Sequence, residues 1–257
     1  MKRTHGRAFD QVRSITVHYD VIEYAAASIL FEQGKTKLLC SVTLQNSVPP
    51  FLKGKKTGWL TAEYAMLPTA THTRKERDSL SRPNGRSMEI SRLIGRVLRS
   101  VVDLDLLGER TIVVDCDVVQ ADGSTRTACI TAASLALKIA IDRWLCAGKI
   151  GSVILKEEVA GISVGACDDH VLVDLDFNED SSLGADFNFI ITRSGKIVEI
   201  QGSAEKNPIS WATIEKMHQL AFAGVTSIFS DIYAPLSEIK QEKQITPFNG
   251  IRFNTKA

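Results

Sequence analysis

The sequence predicts an α+β fold, and three observations carry that expectation. Short segments of alternating polarity fill the first third. A long helix of Ala, Ile and Leu follows, and then a second round of strands ends in another helix. Ser14–Tyr19 sets Ile15, Val17 and Tyr19 against Thr16 and His18, the two-residue period of a half-buried strand. Ala27–Phe31 and Thr36–Leu44 are strands joined by a hairpin turn at Gln33-Gly34-Lys35. Ser47–Thr57, with Pro49, Pro50 and its lysines, is a loop, and Gly58–Leu67 is a strand stopped by Pro68. Pro68–Gly85 has many charges and little apolar content, as in a long basic loop. From Arg86, Ile90, Leu93, Ile94, Val97, Val101 and Leu104 recur at helical spacing, with Arg92, Arg96 and Arg99 on another face.

Thr111–Val119 alternates as a strand, Asp122-Gly123 turns, and Thr125–Leu145 is a helix apolar on nearly every side, which places it at the centre of the core. Val159–Ala166, Val171–Phe177, Asp186–Thr192 and Lys196–Gln201 are the second set of strands, with turns at Asp168-Asp169 and Arg193-Ser194-Gly195. Ser210 is the N-cap of the last helix. After Pro235 the chain turns polar. Residues 1–237 are expected to form one domain and residues 238–257 a loosely ordered extension.

Composition narrows the function. With 257 residues, 44% hydrophobic and 24% charged, the chain is neither disordered, collagen-like nor a disulfide mini-protein. The net charge of +1 is uninformative, but its distribution is not. Residues 51–100 hold eleven Lys and Arg against four acids, a balance of +7, whereas residues 151–190 hold Lys156 against nine acids, a balance of −8. A polyanion on one side and a divalent cation on the other would suit that split. The five cysteines include no CxxC pair, so small buried thiols in a reducing cytoplasm are expected. The basic amino terminus leads into no apolar run, and none approaches the ~20 residues of a membrane helix, so no signal peptide or membrane partner is expected.

The sharpest local feature is Gln120-Ala121-Asp122-Gly123-Ser124-Thr125-Arg126-Thr127. A strand ends, a small-residue turn follows and a helix begins, so unpaired N–H groups, the helix dipole, two hydroxyls and a guanidinium meet at one anion-binding junction. The same residues also describe an ordinary helix cap with a surface arginine. Gly85-Arg86 offers a second arginine at a helix start, although spacing alone describes a solvated face. Asp180 and Asp186, six residues apart around a Ser-rich loop, could converge on a hard cation or simply cap backbone. The histidines have no zinc spacing. His72, inside the basic loop, is the one whose position suggests more.

Longer blocks resemble the ribonuclease PH family: Gly58-Trp59-Leu60-Thr61-Ala62-Glu63-Tyr64-Ala65-Met66-Leu67-Pro68 with Ala70-Thr71-His72-Thr73-Arg74, and Gly85-Arg86-Ser87-Met88-Glu89-Ile90-Ser91-Arg92-Leu93-Ile94-Gly95-Arg96. Leu107–Ile112, Asp115–Gly123, Glu179-Asp180-Ser181 and Glu199–Glu205 continue the series in family order, from Gly6-Arg7 to about Ala234. The resemblance implies βαβ cores with mixed sheets and packed helices, like a domain of a small-subunit ribosomal protein. It also implies a phosphate-dependent 3′→5′ exoribonuclease that trims tRNA precursors, and in some settings rRNA, releasing nucleoside diphosphates from a homohexamer built as a trimer of dimers. It assigns phosphate binding to Arg86, Ser124, Thr125 and Arg126. Mg²⁺ and catalysis fall to Asp180 and Asp186, and RNA contacts to Arg74, Arg77, Arg92, Arg96 and Arg99.

The departures are Ser124 where the family has a second glycine, Thr69 for a common arginine, an unusual Ser79–Asn84, and the extension from about Glu238. None deletes a catalytic group. A non-catalytic RNA-binding subunit of an exosome-like ring is the alternative, set against by the presence of every one of those groups. A nucleoside phosphorylase is set against by the basic loop and the arginine-bearing helix face.

Overall fold

The computed structural model describes residue 3 and residues 6–77, 84–167 and 170–245, with side chains as far as residue 233. Strands β1 (Ile15–Tyr19), β2 (Ala27–Gln33) and β3 (Thr36–Gln45) form an antiparallel meander. Gly34 takes the positive φ of 58° that the tight β2–β3 turn needs. Strand β4 (Trp59–Met66) leads through the basic loop to α1 (Gly85–Val101), α2 (Leu104–Leu107) and β5 (Thr111–Gln120). Because β4 and β5 pair in parallel, α1 is a crossover helix, and this βαβ unit closes a mixed sheet ordered β1-β2-β3-β5-β4.

Helix α3 (Thr125–Cys146) follows, then β6 (Val159–Cys167), β7 (His170–Val173), α4 (Phe177–Ser182), β8 (Ala185–Thr192), β9 (Ile197–Ala204) and α5 (Trp211–Ile245). The second sheet, β7-β6-β8-β9, is antiparallel throughout. Helix α3 packs on β2 and β3 of one sheet and on β6 of the other, as its all-round apolar pattern requires. Its small residues permit the approach: a methyl on Gly161 of β6 would lie 3.0 Å from Thr127 of α3. Buried residues of both sheets join around α3 in one continuous core, where each enclosed Ile or Leu contributes about 1.5–3 kcal/mol. The α+β expectation is met.

Some boundaries differ from the sequence reading, each for a local reason. Helix α1 ends at Val101 because Val102 bridges to Leu155 in extended conformation, and the Asp103 side chain accepts from Leu106 N to start α2, which takes Leu104. Strand β7 stops at Val173, not Phe177. Asp176 and Glu179 form a reciprocal capping box there and start α4 inside what the alternation suggested was strand and loop. Strand β9 runs on to Ala204. Helix α5, capped by Ser210 Oγ accepting from Thr213 N, has helical backbone through Pro235 to Ile245, so residue 237 falls within it. The expected Asp168-Asp169 turn, most of Ser79–Asn84 and residues 246–257 lie outside the described residues. No helix among the described residues is long and apolar enough to cross a membrane.

Three cysteines, Cys40, Cys116 and Cys129, are buried, Cys167 is half-buried and Cys146 is exposed, and none of the five is joined in a disulfide. On the face of the first sheet turned away from α3, Asp115 stands in register beside Glu63. Partial burial, and then the charge of Glu63, push the Asp115 carboxyl up to about 6.

Candidate active site

One cleft, of about 700 Å³, opens between the end of β4, the start of α3, helix α4 and strands β8 and β9. Arg86, Ser124, Thr125, Arg126, Asp180 and Asp186 all line it, although they come from four separate segments. The fold therefore brings the expected anion-binding and acidic groups face to face.

The anion side is the turn between β5 and α3. Gly123 has φ 75°, and a β-carbon there would lie 2.4 Å from the carbonyl oxygen of Leu175, so only glycine fits. Ser124 is also left-handed, at φ 54° and ψ 23°, a conformation that costs a residue with a β-carbon about 1–2 kcal/mol. Its hydroxyl offsets that by donating to Leu175 O (2.8 Å) and meeting Ser163 Oγ (2.6 Å), while Ser163 Oγ accepts from Leu175 N (2.9 Å). The hydroxyl proton expected to serve a phosphate is thus turned into the fold, and Ser124 offers the cleft backbone in its place. Thr125 Oγ1 accepts from the Tyr64 hydroxyl, a buried phenol held against ionisation, so its own proton remains for the cleft. Arg126 Nη1 donates to Glu89 Oε1 (3.1 Å) and Gln201 Oε1 (2.7 Å), and its side chain is 19% exposed. Arg86 is exposed, capped at its N–H by Asn84, and beside the Tyr64 hydroxyl.

The acidic side is α4 and β8. Burial, foremost, and then the charge of Asp186 push the Asp180 carboxyl above its ordinary range. Burial and then Glu205 do the same to Asp186. Arg86 and Arg126 pull Asp180 back, and Arg126 pulls Asp186 back, without reversing either shift. With Asp180 exposed and Asp186 partly buried, the pair is an under-neutralised set of oxygen donors, which is the chemistry a hard divalent cation takes. Among the described residues no three such side chains form a ready metal cage.

Behind both sides lies a layer of buried ion pairs that sequence reasoning missed. Arg13 donates from Nε and Nη2 to the fully buried Asp174 carboxylate (3.0 and 2.7 Å) and from Nη1 to the carbonyl of Asp122 (2.6 Å), bracing the turn. Arg3 forks onto Glu179 (2.9 and 2.9 Å), and Arg7 adds a third donor at 2.9 Å, so the residue beside Asp180 is anchored to the amino-terminal segment. Only the Asp176-x-x-Glu179 capping box was visible locally.

The arginines assigned to RNA lie outside the cleft lining. Lys75, which the resemblance did not single out, represents the basic loop there with Thr71. Arg74, Arg77 and Arg92 are exposed. Arg96 pairs with Glu199 of β9 at 2.9 and 2.5 Å, and Arg99 lies 4.6 Å over the Trp59 ring with Nη1 on the Leu60 carbonyl (3.0 Å). Glu89, Arg92, Arg96 and Arg99 share one stripe of α1, which leads outward from Arg126. Glu89, Gln201, Ser163 and Glu205 complete the site; Gln201 and Glu205 fall in a block that the resemblance quoted without a role.

Two models of a 3′ exoribonuclease family match the chain, domain 1 over residues 11–141 and domain 2 over residues 157–224. Ribonuclease PH of Moorella thermoacetica is 46% identical over 231 residues, covering 90% of this chain and 92% of that protein. In fold the chain is similar to rice (Oryza sativa) Rrp46, with TM-score 0.74, 19% identity and coverage of 91% and 100%. It is also similar to a chain of the Archaeoglobus fulgidus exosome with RNA bound to its active site, with TM-score 0.73, 20% identity and coverage of 89% and 92%.

Proposed function

The chain belongs to the 3′ exoribonuclease family, and on that premise we propose how its cleft trims RNA. It is a phosphorolytic 3′→5′ exoribonuclease: inorganic phosphate takes the last nucleotide of a tRNA precursor as a nucleoside diphosphate and leaves an RNA shorter by one. The observation that supports the residue roles is the facing of Arg86, Arg126 and the α3 start across one cleft from Asp180 and Asp186.

The nucleophile is an anion approaching an anion. At ~4 Å and an effective dielectric of ~20, each like-charge pair is repulsive by about 4 kcal/mol, and two guanidinium groups cancel repulsion of that order. Arg86 and Arg126 hold the phosphate, with the Ser124 and Thr125 backbone and the Thr125 hydroxyl as further donors. Incoming phosphate competes with Glu89 for Arg126, and Gln201 steadies the guanidinium during the exchange. Asp180 and Asp186 would hold Mg²⁺, which when bound supplies positive charge against the scissile phosphate. One of these aspartates, or a water beside them, delivers the proton to the departing 3′ oxygen. RNA approaches along Lys75, Arg74, Arg77 and the Arg92–Arg96 stripe, with Arg99 as its anchored end. A cytoplasmic homohexamer, a trimer of dimers, belongs to the same proposal, and light scattering of the purified chain tests its size.

The deciding experiment is incubation of a labelled tRNA precursor with and without orthophosphate. Shortening only with phosphate, with nucleoside diphosphates released, is expected. Equal shortening in phosphate-free buffer, with monophosphates released, would make water the nucleophile and remove the roles given to Arg86 and Arg126.

A further inference from the structure

We propose that Phe177 and His72 form a stacking platform for the base of the RNA's 3′-terminal nucleotide, a reading that rests on the exoribonuclease function above. Phe177 stands on the first turn of α4 and is 47% exposed. Among the described residues it is the one aromatic side chain on a cleft lined otherwise by polar, charged, small or unbranched groups. A phenyl ring held in water at the edge of a polar cleft is unfavourable unless something covers it. His72, exposed on the basic loop after β4, meets this ring, with ring centroids 5.6 Å apart and planes tilted by 57°. The rings lean on one another without a parallel stack, which leaves π-surface for a third ring.

Position supplies the second argument. Phe177 and Asp180 are three residues apart on one helical turn, so they share a face, and both line the cleft. A nucleotide with its phosphate at Asp180 and Asp186 would carry its base toward Phe177. Thr71 and Lys75, which flank His72, also line the cleft, so the loop offers cation and ring together. Stacking accepts every base because each has a π-face. An enzyme that removes whichever nucleotide comes next needs a grip of that kind, since hydrogen bonds to base edges would stall it on some sequences.

A fluorescent adenine analogue at the 3′ end of a short single-stranded RNA reads the stack without turnover, in phosphate-free buffer. Quenching on binding to the wild-type protein is expected, with loss of quenching and about tenfold weaker binding in Phe177→Ala, recovery in Phe177→Tyr, and a smaller loss in His72→Ala. An RNA whose last nucleotide lacks its base should bind wild type about tenfold more weakly than intact RNA does, a comparison that needs no variant and so holds whether or not Phe177→Ala folds well. In steady state, Phe177→Ala should raise the KM for RNA while the KM for phosphate moves by less than about twofold. Equal quenching in Phe177→Ala and wild type, or equal wild-type affinity for RNA with and without the terminal base, overturns the platform. If quenching depends on Phe177 but shortening ignores phosphate, the platform stands and the phosphorolytic reading falls.

Discussion

Two sets of arginines flank the same cleft, and burial makes them different devices. Arg3, Arg7 and Arg13 lie behind it, each under a tenth exposed, and hold Glu179, Asp174 and the Asp122 carbonyl through short forked bonds. Arg74, Arg77, Arg92 and Arg96 lie in front, in water, and Arg96 is 56% exposed even while paired with Glu199. In the low-dielectric interior an unpaired charge is costly, so the rear set fixes geometry. In water and salt the front charges are screened and contribute little to stability, which leaves them available to meet a polyanion. Arg126, 19% exposed, stands between these regimes, buried enough to be oriented and open enough to exchange Glu89 for a ligand.

The comparison can be broken at its strongest point first. Arg13→Ala takes the guanidinium fork from a fully buried Asp174 carboxylate, leaving it the backbone N–H of residue 13 and Arg7 at 3.7 Å, and should cost about 3–5 kcal/mol by denaturant unfolding. A loss under about 1 kcal/mol would show that the rear layer is not the brace described. Next, Arg126→Ala should lower phosphorolysis by about a hundred- to a thousandfold while gel-shift affinity for RNA survives. Parallel loss of both would place Arg126 on the RNA and not on phosphate.

In front, the double substitution Arg92→Ala with Arg96→Ala should leave stability within about 0.5 kcal/mol of wild type. It should weaken RNA binding and reduce the salt slope by about one for each RNA phosphate that an arginine no longer neutralises. An unchanged slope would move the RNA track off α1. The smallest effect concerns Asp115, half-buried beside Glu63. Its folded pKa of about 6 lies above its ordinary 3.8, so its favourable contribution is complete below the unfolded value and lost as pH rises through about 6. Melting temperature should therefore fall modestly from pH 5 to pH 7, and Asp115→Asn should flatten that step.

The same contrast explains what was legible in the sequence. The β5–α3 junction could be read because strand end, glycine and helix start fall within eight consecutive residues from Gln120 to Thr127. The core position of α3 followed from its all-round apolar pattern. The rear braces could not be read, since Arg13 meets Asp174 across 161 positions and Arg3 meets Glu179 across 176. No periodicity reports such a pairing. Ser124 shows a subtler limit: its residue type suggested a donor to the cleft, but its left-handed backbone and the distant Ser163 turn that donor away. Helix α4 was legible in principle, through Asp176 and Glu179, and was obscured by the apolar alternation just before it.

Those long separations also set an order of events during synthesis. Arg3 and Arg13 leave the ribosome well over a hundred residues before Asp174 and Glu179 exist to receive them. Until then the growing polypeptide carries the β5–α3 turn without its brace and no acidic wall at all, so under the proposed mechanism a nascent chain cannot degrade RNA beside the ribosome that is making it.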